Sequence, residues 1–475
     1  MMTIKRLQTA ILNYRKLLAI LAAVILQLPS SDPLAAEQPQ KRLSLRESIS
    51  IALENASSLK KADNLVRLQG ADVLRSYGSF LPKLSVSAGY VPYSVSRSYS
   101  QLTTTGTETV KLKSERETLD LTLTTSLNLF NGFRDYAALQ AALKNEESAE
   151  FSLSRARQAV VFDVTQNYCQ VLLNQEILAI ARENLLTAKD QLKLSERQFE
   201  IGLKSMPDLY QQEAETASSE LAVNRAEAQL ERSRLELLRR LRIEPRTALS
   251  LEPLPKEMLS ADIPKPDIDS LITLAGKNRT DLKSRKLESE AARWQIRQAA
   301  SSWYPKLDLN FNLSTSAVES LRQTYSGITL EYPYPPMADQ LENSVGYSVV
   351  LNLSWAIFDG FQTRYNVEQA KINHINQKLD YEDLQSDIAL DLQQAVAEYQ
   401  AAKASIASAK AGLKAAKAAY EGIKRKYDLG ASGFVELSSA RAALFNAMST
   451  LSQATYNLAL QKNVLDFTSG TLSTQ

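Results

Sequence analysis

The sequence predicts a mixed α and β chain that contains two copies of one unit, each with amphipathic strands and very long helices. Three observations predict this fold. Short motifs recur in the same order in both halves, apolar and polar residues alternate in four stretches, and apolar residues then recur every seven positions. The 475 residues include 55 basic and 53 acidic side chains but only 15 Gly and 15 Pro, so the chain is nearly neutral and poor in helix breakers.

The first 36 residues have the pattern of a signal peptide. Basic residues precede the apolar run 17–28, and the small residues Ala35 and Ala36 follow it. The run is too short to cross a bilayer as a helix. We therefore expect cleavage near Ala36, and the lack of a cysteine there argues against a lipoprotein.

Three pairs of motifs define the duplication. They are FLPKLSV (80–86) and WYPKLDL (303–309), LFNGF (129–133) and IFDGF (357–361), and RQFEIGLKSMPDL (197–209) and RKYDLGASGFVEL (425–437). The offset is 223 residues for the first pair and 228 for the other two. The repeats therefore differ in length only between the PKL motif and the Asn/Asp-Gly-Phe motif.

The duplication also divides the chain. Each repeat is expected to hold a helix, a β-hairpin, a long helix and a return helix. The predicted segments are the signal peptide 1–36, a first repeat 37–241, a Pro-rich linker 242–266, a second repeat 267–468 and a tail 469–475.

Four stretches alternate with period two, which is typical of strands with one apolar face. They are Leu84–Tyr90, Leu119–Leu129, Leu307–Leu313 and Tyr347–Ile357. We expect strands of about 10–12 residues, the length that crosses an outer membrane. Polar loops are expected at about 96–117 and 319–345.

After each Asn/Asp-Gly-Phe motif the period changes to seven. In the second repeat the series is Leu392, Tyr399, Ile406, Leu413, Tyr420 and Tyr427. Heptads of this extent predict packed helices at about 133–201 and 361–429, each roughly 100 Å long. Short turns follow, and the seven-residue step continues, so each long helix is expected to fold back on a return helix of about 36 residues; a helical pattern also covers 44–79.

A four-stranded sheet has two open edges, which cannot exist in lipid. A soluble sheet packed on helices is the alternative, but the chain offers no second apolar layer. Three chains would close a 12-strand barrel, whereas two would give eight strands and no room for a channel. The strands therefore predict a trimeric outer-membrane β-barrel.

The duplicated layout, the Phe-Asn/Asp-Gly-Phe junctions, the PKL motifs and the IGL and LGA tips resemble the TolC-like outer membrane efflux protein family over about residues 41–470. The resemblance implies a homotrimer with a 12-strand barrel that continues into a long periplasmic α-helical barrel of coiled coils. It implies an exit duct for small molecules or proteins delivered by inner-membrane efflux pumps or type I secretion (ABC) transporters. Periplasmic adaptor (membrane fusion) proteins would dock to it, and no cofactor or nucleic acid is involved.

Two carboxylates, Asp208 and Glu436, occupy equivalent places just past the helix tips. In a trimer each would form a ring that favours or traps cations. Alternatively they cap helices, because Ser205 precedes Asp208 at the spacing of a capping box. The resemblance places Glu436 in one of two acidic rings; the second falls on the neutral Ser439.

The resemblance also assigns gate and docking positions. Tyr427 and Asp208 match residues whose hydrogen bonds close the entrance, although the gate arginine falls on Ser432 and Tyr427 also fits plain heptad packing. The tips that would meet an adaptor are Ile201, Gly202, Leu203, Leu429, Gly430 and Ala431. The same glycines suit helix C-caps.

The strand-to-helix junctions are the remaining candidate positions. Asn-Gly alone would signal a hairpin, but the change of period marks a strand that becomes a helix, where Gly permits a bend and flanking Phe residues wedge the junction. These residues are Phe130, Gly132, Phe133, Phe358, Gly360 and Phe361.

No catalytic chemistry is expected of this chain. Cys169 and His374 are single residues within helical patterns, so neither a catalytic pair nor a metal site is predicted. An enzyme with helical arms is therefore disfavoured. A periplasmic coiled-coil adaptor or scaffold without a membrane part is the alternative function, and the four amphipathic strands argue against it.

Overall fold

The computed structural model describes residues 42–103, 107–244, 250–255, 267–325, 327–332 and 334–472. The chain divides into two compact units, one of residues 1–43 and 248–250 and one of residues 44–247 and 251–475. The predicted signal peptide and part of the predicted linker lie outside the described residues. In the small unit the described residues are a short strand, β1 (Arg42–Leu43), and Ser250.

The elements follow the predicted order. They are α1 (Leu45–Asn55), α2 (Ser57–Gly78), β2 (Lys83–Thr103), β3 (Thr107–Phe130), α3 (Arg134–Glu200), α4 (Met206–Leu241), β4 (Ser250–Leu251), α5 (Ile268–Asn278), α6 (Thr280–Ala300), β5 (Lys306–Tyr325), β6 (Ile328–Tyr332), α7 (Met337–Asn343), β7 (Gly346–Ser354), α8 (Gln362–Asp428) and α9 (Phe434–Ser469). A 3₁₀ turn, Ser301–Trp303, joins α6 to β5.

The two long helices are confirmed, and each has 67 residues. Both return helices have 36 residues, as predicted. The helical pattern at 44–79 is not one helix, because the chain breaks at Ala56, whose ψ of 117° is extended. Arg279 makes the same break between α5 and α6 with a ψ of 116°, so the duplication preserves it.

The sheet differs from the prediction in length. Strands β2, β3 and β5 have 21, 24 and 20 residues, and they run through most of the first polar stretch predicted as a loop and through the start of the second. These stretches are rich in Ser and Thr and also contain Tyr, and Thr and Tyr are good strand formers, so backbone pairing continues beyond the apolar alternation. Strand β6 and helix α7 were also expected to be loop.

The ladder is nevertheless four strands wide. Strand β3 lies between β2 and β5, all antiparallel. The opposite edge of β5 pairs with β7 over Lys306–Ser314 and with β6 over Leu321–Tyr325. Because β6 and β7 share one edge of β5, they occupy a single strand position. No described strand pairs with the outer edges of β2 and β7.

One face of this sheet is apolar, and no described part of the chain covers it. Val86 on β2 is 76% exposed, and Tyr347 on β7 is 78% exposed. Side chains of neighbouring positions point to the opposite face, which carries residues such as Asn128 and Asp308. No helix in the described ranges carries an apolar stretch long enough to cross a membrane.

The helices pack by their heptad seams. Leu392 and Tyr399 on α8 are 0% and 1% exposed and pack with Leu458 on α9. In the first repeat Leu178 on α3 packs with Val223 on α4. The predicted antiparallel pairs are therefore confirmed. The N-terminal part of α3, next to the strands, packs against α2.

Candidate functional site

Both helix tips end in the same turn. The amide of Leu203 donates to the carbonyl of Gln198 at 2.7 Å, and the amide of Ala431 donates to the carbonyl of Lys426 at 2.8 Å. Gly202 and Gly430 have φ values of 76° and 73°, a region that favours glycine. The tips are therefore Gly-capped.

The tips also expose apolar side chains. Ile201 and Leu203 are 71% and 72% exposed, and Leu429 is 84% exposed. Nothing in the described chain covers these three side chains, which stand at the far end of each helical hairpin from the strands. The tips combine a fixed backbone with accessible apolar groups.

Asp208 closes a capping box at the start of α4. Its carboxylate accepts from the Ser205 hydroxyl at 2.6 Å and from the Ser205 amide at 3.2 Å. The Asp208 amide donates back to the Ser205 hydroxyl at 3.4 Å. The hydroxyl and amide of Ser205 hold the pKa of Asp208 below its usual value, so the carboxylate stays charged at neutral pH. The capping interpretation of Asp208 is thus confirmed.

Glu436 has a different local partner. Gly433 begins α9 without a side-chain cap, and Glu436 accepts a hydrogen bond from the Ser432 hydroxyl. The two carboxylates therefore occupy equivalent positions, but only Asp208 caps its own helix through a capping box.

Tyr427 joins the two hairpins of the chain. Its hydroxyl is bonded to the Lys204 ammonium and, at 3.4 Å, to the side-chain amide of Gln191. The ammonium also lies 4.8 Å from the centre of the Tyr427 ring. Among the described residues Tyr427 and Asp208 make no hydrogen bond to each other, and each has other partners.

Lys204 is the tip residue that the sequence reasoning missed. It is the first-repeat equivalent of Ser432 at the offset of 228. A cation is thus absent where the resemblance expects the gate arginine, and present at the equivalent place in the other hairpin. Comparing the two repeats position by position would have found it.

The strand-to-helix junctions are nearly identical. The rings of Phe130 and Phe133 lie 5.4 Å apart and almost perpendicular, and those of Phe358 and Phe361 do the same. Gly132 has a φ of 66°. Each junction thus has a glycine with a positive φ and two phenylalanine rings in edge-to-face contact.

The two junctions differ in what surrounds the glycine. A Cβ at Gly132 would overlap the Ser301 carbonyl and lie 2.9 Å from the Cβ of Tyr304. Gly360, with the same φ of 66°, has no atom of the described residues within 4 Å of that point. The first junction is filled by the second repeat, whereas the second junction is open in one chain.

The single cysteine and histidine lie apart from these features. Burial raises the pKa of the Cys169 thiol to about 12, which makes it unreactive. His374 contacts the Ser289 carbonyl at 3.0 Å. Over the described ranges no cluster of His, Cys, Asp and Glu could hold a metal ion.

Comparison with known proteins agrees with the resemblance. AprF, an alkaline protease secretion protein of Pseudomonas aeruginosa, is 26% identical over 97% of this chain and 90% of its own length. Escherichia coli outer membrane protein TolC is 22% identical over 90% of this chain and 86% of its own length. Nodulation protein T of Rhizobium leguminosarum is 24% identical, and the match spans 53% of this chain and 48% of that protein.

Solved structures share the fold. The outer-membrane channel OprN aligns with a TM-score of 0.73 at 20% identity over 90% of this chain and 89% of its own. The Campylobacter jejuni CmeC channel aligns with a TM-score of 0.74 at 18% identity, over 94% and 93%. The predicted fold, in which a β-barrel continues into an α-helical barrel, is confirmed. The sequence profile described as Outer membrane efflux protein matches residues 48–241 and 271–471, so the chain belongs to that family.

Proposed function

We propose that three copies of this chain form an outer-membrane duct that extends into the periplasm and releases solutes or proteins delivered by an inner-membrane pump or ABC transporter. One observation carries the proposal. The sheet has an apolar face that is exposed, and within the described part of one chain its β2 and β7 edges have no partner strand. Lipid covers such a face, and closure with further copies pairs such edges.

The duplication supports a specific pairing between copies. Leu84 pairs with Thr125, and their second-repeat equivalents Leu307 and Leu353 pair in the same way. The strand register is thus preserved by the repeat. Strands β3 and β5 pair across the boundary between the two repeats, with Thr125 opposite Phe311. The repeat equivalents of these two residues lie on β7 and on β2, so the same offsets predict how β7 of one copy pairs with β2 of the next. Leu353 of β7 would lie opposite Ala88 of β2 in the next copy.

Disulfide trapping tests both the trimer and its register. In a Cys169→Ala background, Leu353→Cys with Ala88→Cys should give disulfide-linked trimers in outer-membrane fractions. The matched control, Leu353→Cys with Leu84→Cys, is four residues out of register and should not link. A chain recovered as a monomer from the soluble periplasm would contradict the duct, whereas trimers without the disulfide would contradict only the register.

We further propose that the tips dock a periplasmic adaptor protein. The exposed side chains of Ile201, Leu203 and Leu429 offer apolar contacts on rigid Gly-capped turns. An adaptor from the same cell should be retained by the purified protein, and Leu203→Asp with Leu429→Asp should abolish retention. Retention unchanged by these charges would place docking elsewhere.

Gating is proposed for the residues just above the tips. Asp208 and Glu436 would form charged rings in the trimer, and Tyr427 would hold the hairpins together. The contact of Tyr427 with the other hairpin supports its proposed role. The equivalent positions of the two carboxylates beside the turns support theirs. Single-channel recording in planar bilayers tests these roles.

A further inference from the structure

A cavity of about 990 Å³ lies where the strands meet the helices. Its walls are the polar face of β2, β3, β5 and β7, the ends of α2 and α6, and the start of α3. Because the apolar face of the same strands points the other way, this cavity lies on the channel side of the proposed duct.

The cavity carries a surplus of positive charge. The charged side chains in its wall are Arg75, Lys83, Arg134, Lys306, Asp135 and Asp308. Four are cationic and two are anionic. Lys306 is bonded to Asp308 at 2.8 Å, so that pair is neutral. The surplus therefore comes from the first-repeat residues.

Two of these cations have no acidic partner within the described part of the chain. Lys83 and Arg134 are exposed and form no ion pair there, while Arg75 is 81% exposed and contacts Asp72 one turn earlier. Exposed pairs of this kind are weak. The three cationic groups are therefore available to a solute in the cavity.

The fold does not require the two arginines. The second-repeat equivalents of Arg75 and Arg134 are Gln298 and Gln362, whereas Lys83 has its equivalent in Lys306. The helices at these positions have matching bounds in both repeats. Since glutamine serves in the same structural context, the arginines add charge and hydrogen-bond donors without being needed for the backbone.

We propose that this cavity is an anion-binding station in the duct. It would take small solutes that carry two or more carboxylate or phosphate groups, because guanidinium groups bind both by paired hydrogen bonds. The inference rests on the proposed duct, in which three such cavities surround one axis. Anionic cargo would pause here as it leaves the helical barrel for the β-barrel.

Calorimetry with the purified, detergent-solubilised protein tests the site directly. Citrate and pyrophosphate are the two probes, with acetate as the monovalent comparison. The variant Arg75→Gln with Arg134→Gln inserts the residues of the other repeat and should weaken binding by at least about tenfold, the effect of losing one charge-assisted hydrogen bond. Arg157→Gln with Arg225→Gln is the matched control, because Gln385 and Gln453 are the equivalents.

The outcomes separate the inference from the duct. Weaker binding in the cavity variant alone supports the station, and the probe that binds more tightly identifies carboxylate or phosphate as the preferred group. Equal binding in both variants, or no binding to the wild type, overturns it. Conductance in planar bilayers is measured on the same samples, and a non-conducting protein that binds either probe would contradict the duct rather than the anion site.

Discussion

The ammonium of Lys204 contacts the ring and the hydroxyl of Tyr427, and this contact joins the tip of one helical hairpin to the long helix of the other. Tyr427 is half-buried, and the side-chain amide of Gln191 also donates a hydrogen bond to its hydroxyl. A cation–π contact together with a charge-assisted hydrogen bond contributes about 1–3 kcal/mol in partly buried surroundings. Opening the tip by separating the hairpins would break it.

Replacing Lys204 should therefore favour the open tip. Lys204→Ser inserts the second-repeat residue, Ser432, and should raise single-channel conductance in planar bilayers several-fold. Tyr427→Phe keeps the ring and should have a smaller effect. Lys193→Ser removes a charge from an exposed site on α3, the helix that precedes the turn, and serves as the control. Equal conductance for Lys204→Ser and the control would exclude Lys204 from the gate.

Two substitutions can separate the helix-capping role of Asp208 from its proposed role in ion selectivity. Ser205→Ala removes the cap and keeps the carboxylate, so it should destabilise the start of α4 by about 1 kcal/mol. Asp208→Asn keeps an acceptor and removes the charge, so it should shift ion selectivity away from cations. Hydrogen exchange of the first turn of α4 reports the cap, and the reversal potential in a salt gradient reports the charge. A selectivity change in Ser205→Ala alone would refute this division.

The pH dependence of this cap has a defined sign. Because the folded-state pKa of Asp208 lies below its ordinary value, the carboxylate stabilises the helix start above that ordinary value. The contribution is lost as the pH falls through the folded pKa. Protection of the first turn of α4 should accordingly decline in acid, and it should not decline in the same way in Asp208→Asn.

Both acidic rings should narrow the entrance together. Asp208→Ala with Glu436→Ala removes six carboxylates from a trimer at the proposed constriction and should raise single-channel conductance. The neutral Ser439 replaces one ring of the family, so blockade by divalent cations should be weak in the wild type. Unchanged conductance and selectivity in the double variant would remove both carboxylates from the gate.

Substitutions of the two junction glycines should affect different steps, the folding of one chain at Gly132 and the assembly of the trimer at Gly360. Gly132→Ala forces a Cβ against Ser301 and Tyr304 within one chain, in addition to the cost of about 1–2 kcal/mol for its positive φ. It should lower the yield of folded chain. Gly360→Ala has open space in one chain, but the repeat places residues 78–81 of the next copy there. It should spare the chain and lower the trimer yield, measured by gel filtration; a normal trimer yield would contradict this placement.

Periodicity predicted the helices and the strand faces because both depend on local sequence and burial. It underestimated the strands, since residues such as Ser96 and Ser98 lack apolar alternation but still pair through the backbone. The contacts of Lys204 could not be predicted from the heptad pattern, because that pattern stops where the helix ends and Lys204 lies in the turn. Their partner on α8 is brought close only by the packing of two hairpins that are far apart in sequence.

The cluster around Asp281 should set the acid stability of the helical region. Its carboxylate lies 2.5 Å from Arg279 and 3.4 Å from Arg155, whose guanidinium stacks 3.7 Å from the centre of the Phe467 ring. Burial alone would raise the pKa of Asp281, but the Arg279 hydrogen bond and both positive charges outweigh it and lower that pKa. Burial also lowers the pKa of Arg155 to about 10. The carboxylate therefore balances two largely buried cations that belong to different repeats.

Asp281→Asn would leave both arginines without their counter-charge and should cost about 3–5 kcal/mol. Because the folded pKa is depressed, the wild-type advantage is complete above the ordinary aspartate value of about 4 and is lost as the pH falls through the folded value. The difference in melting temperature between wild type and variant should thus shrink from pH 7 to pH 3. Asp63→Asn breaks the exposed pair with Arg67 and should cost less than about 1 kcal/mol. A difference that does not change with pH would show that Asp281 acts through packing and not through its charge.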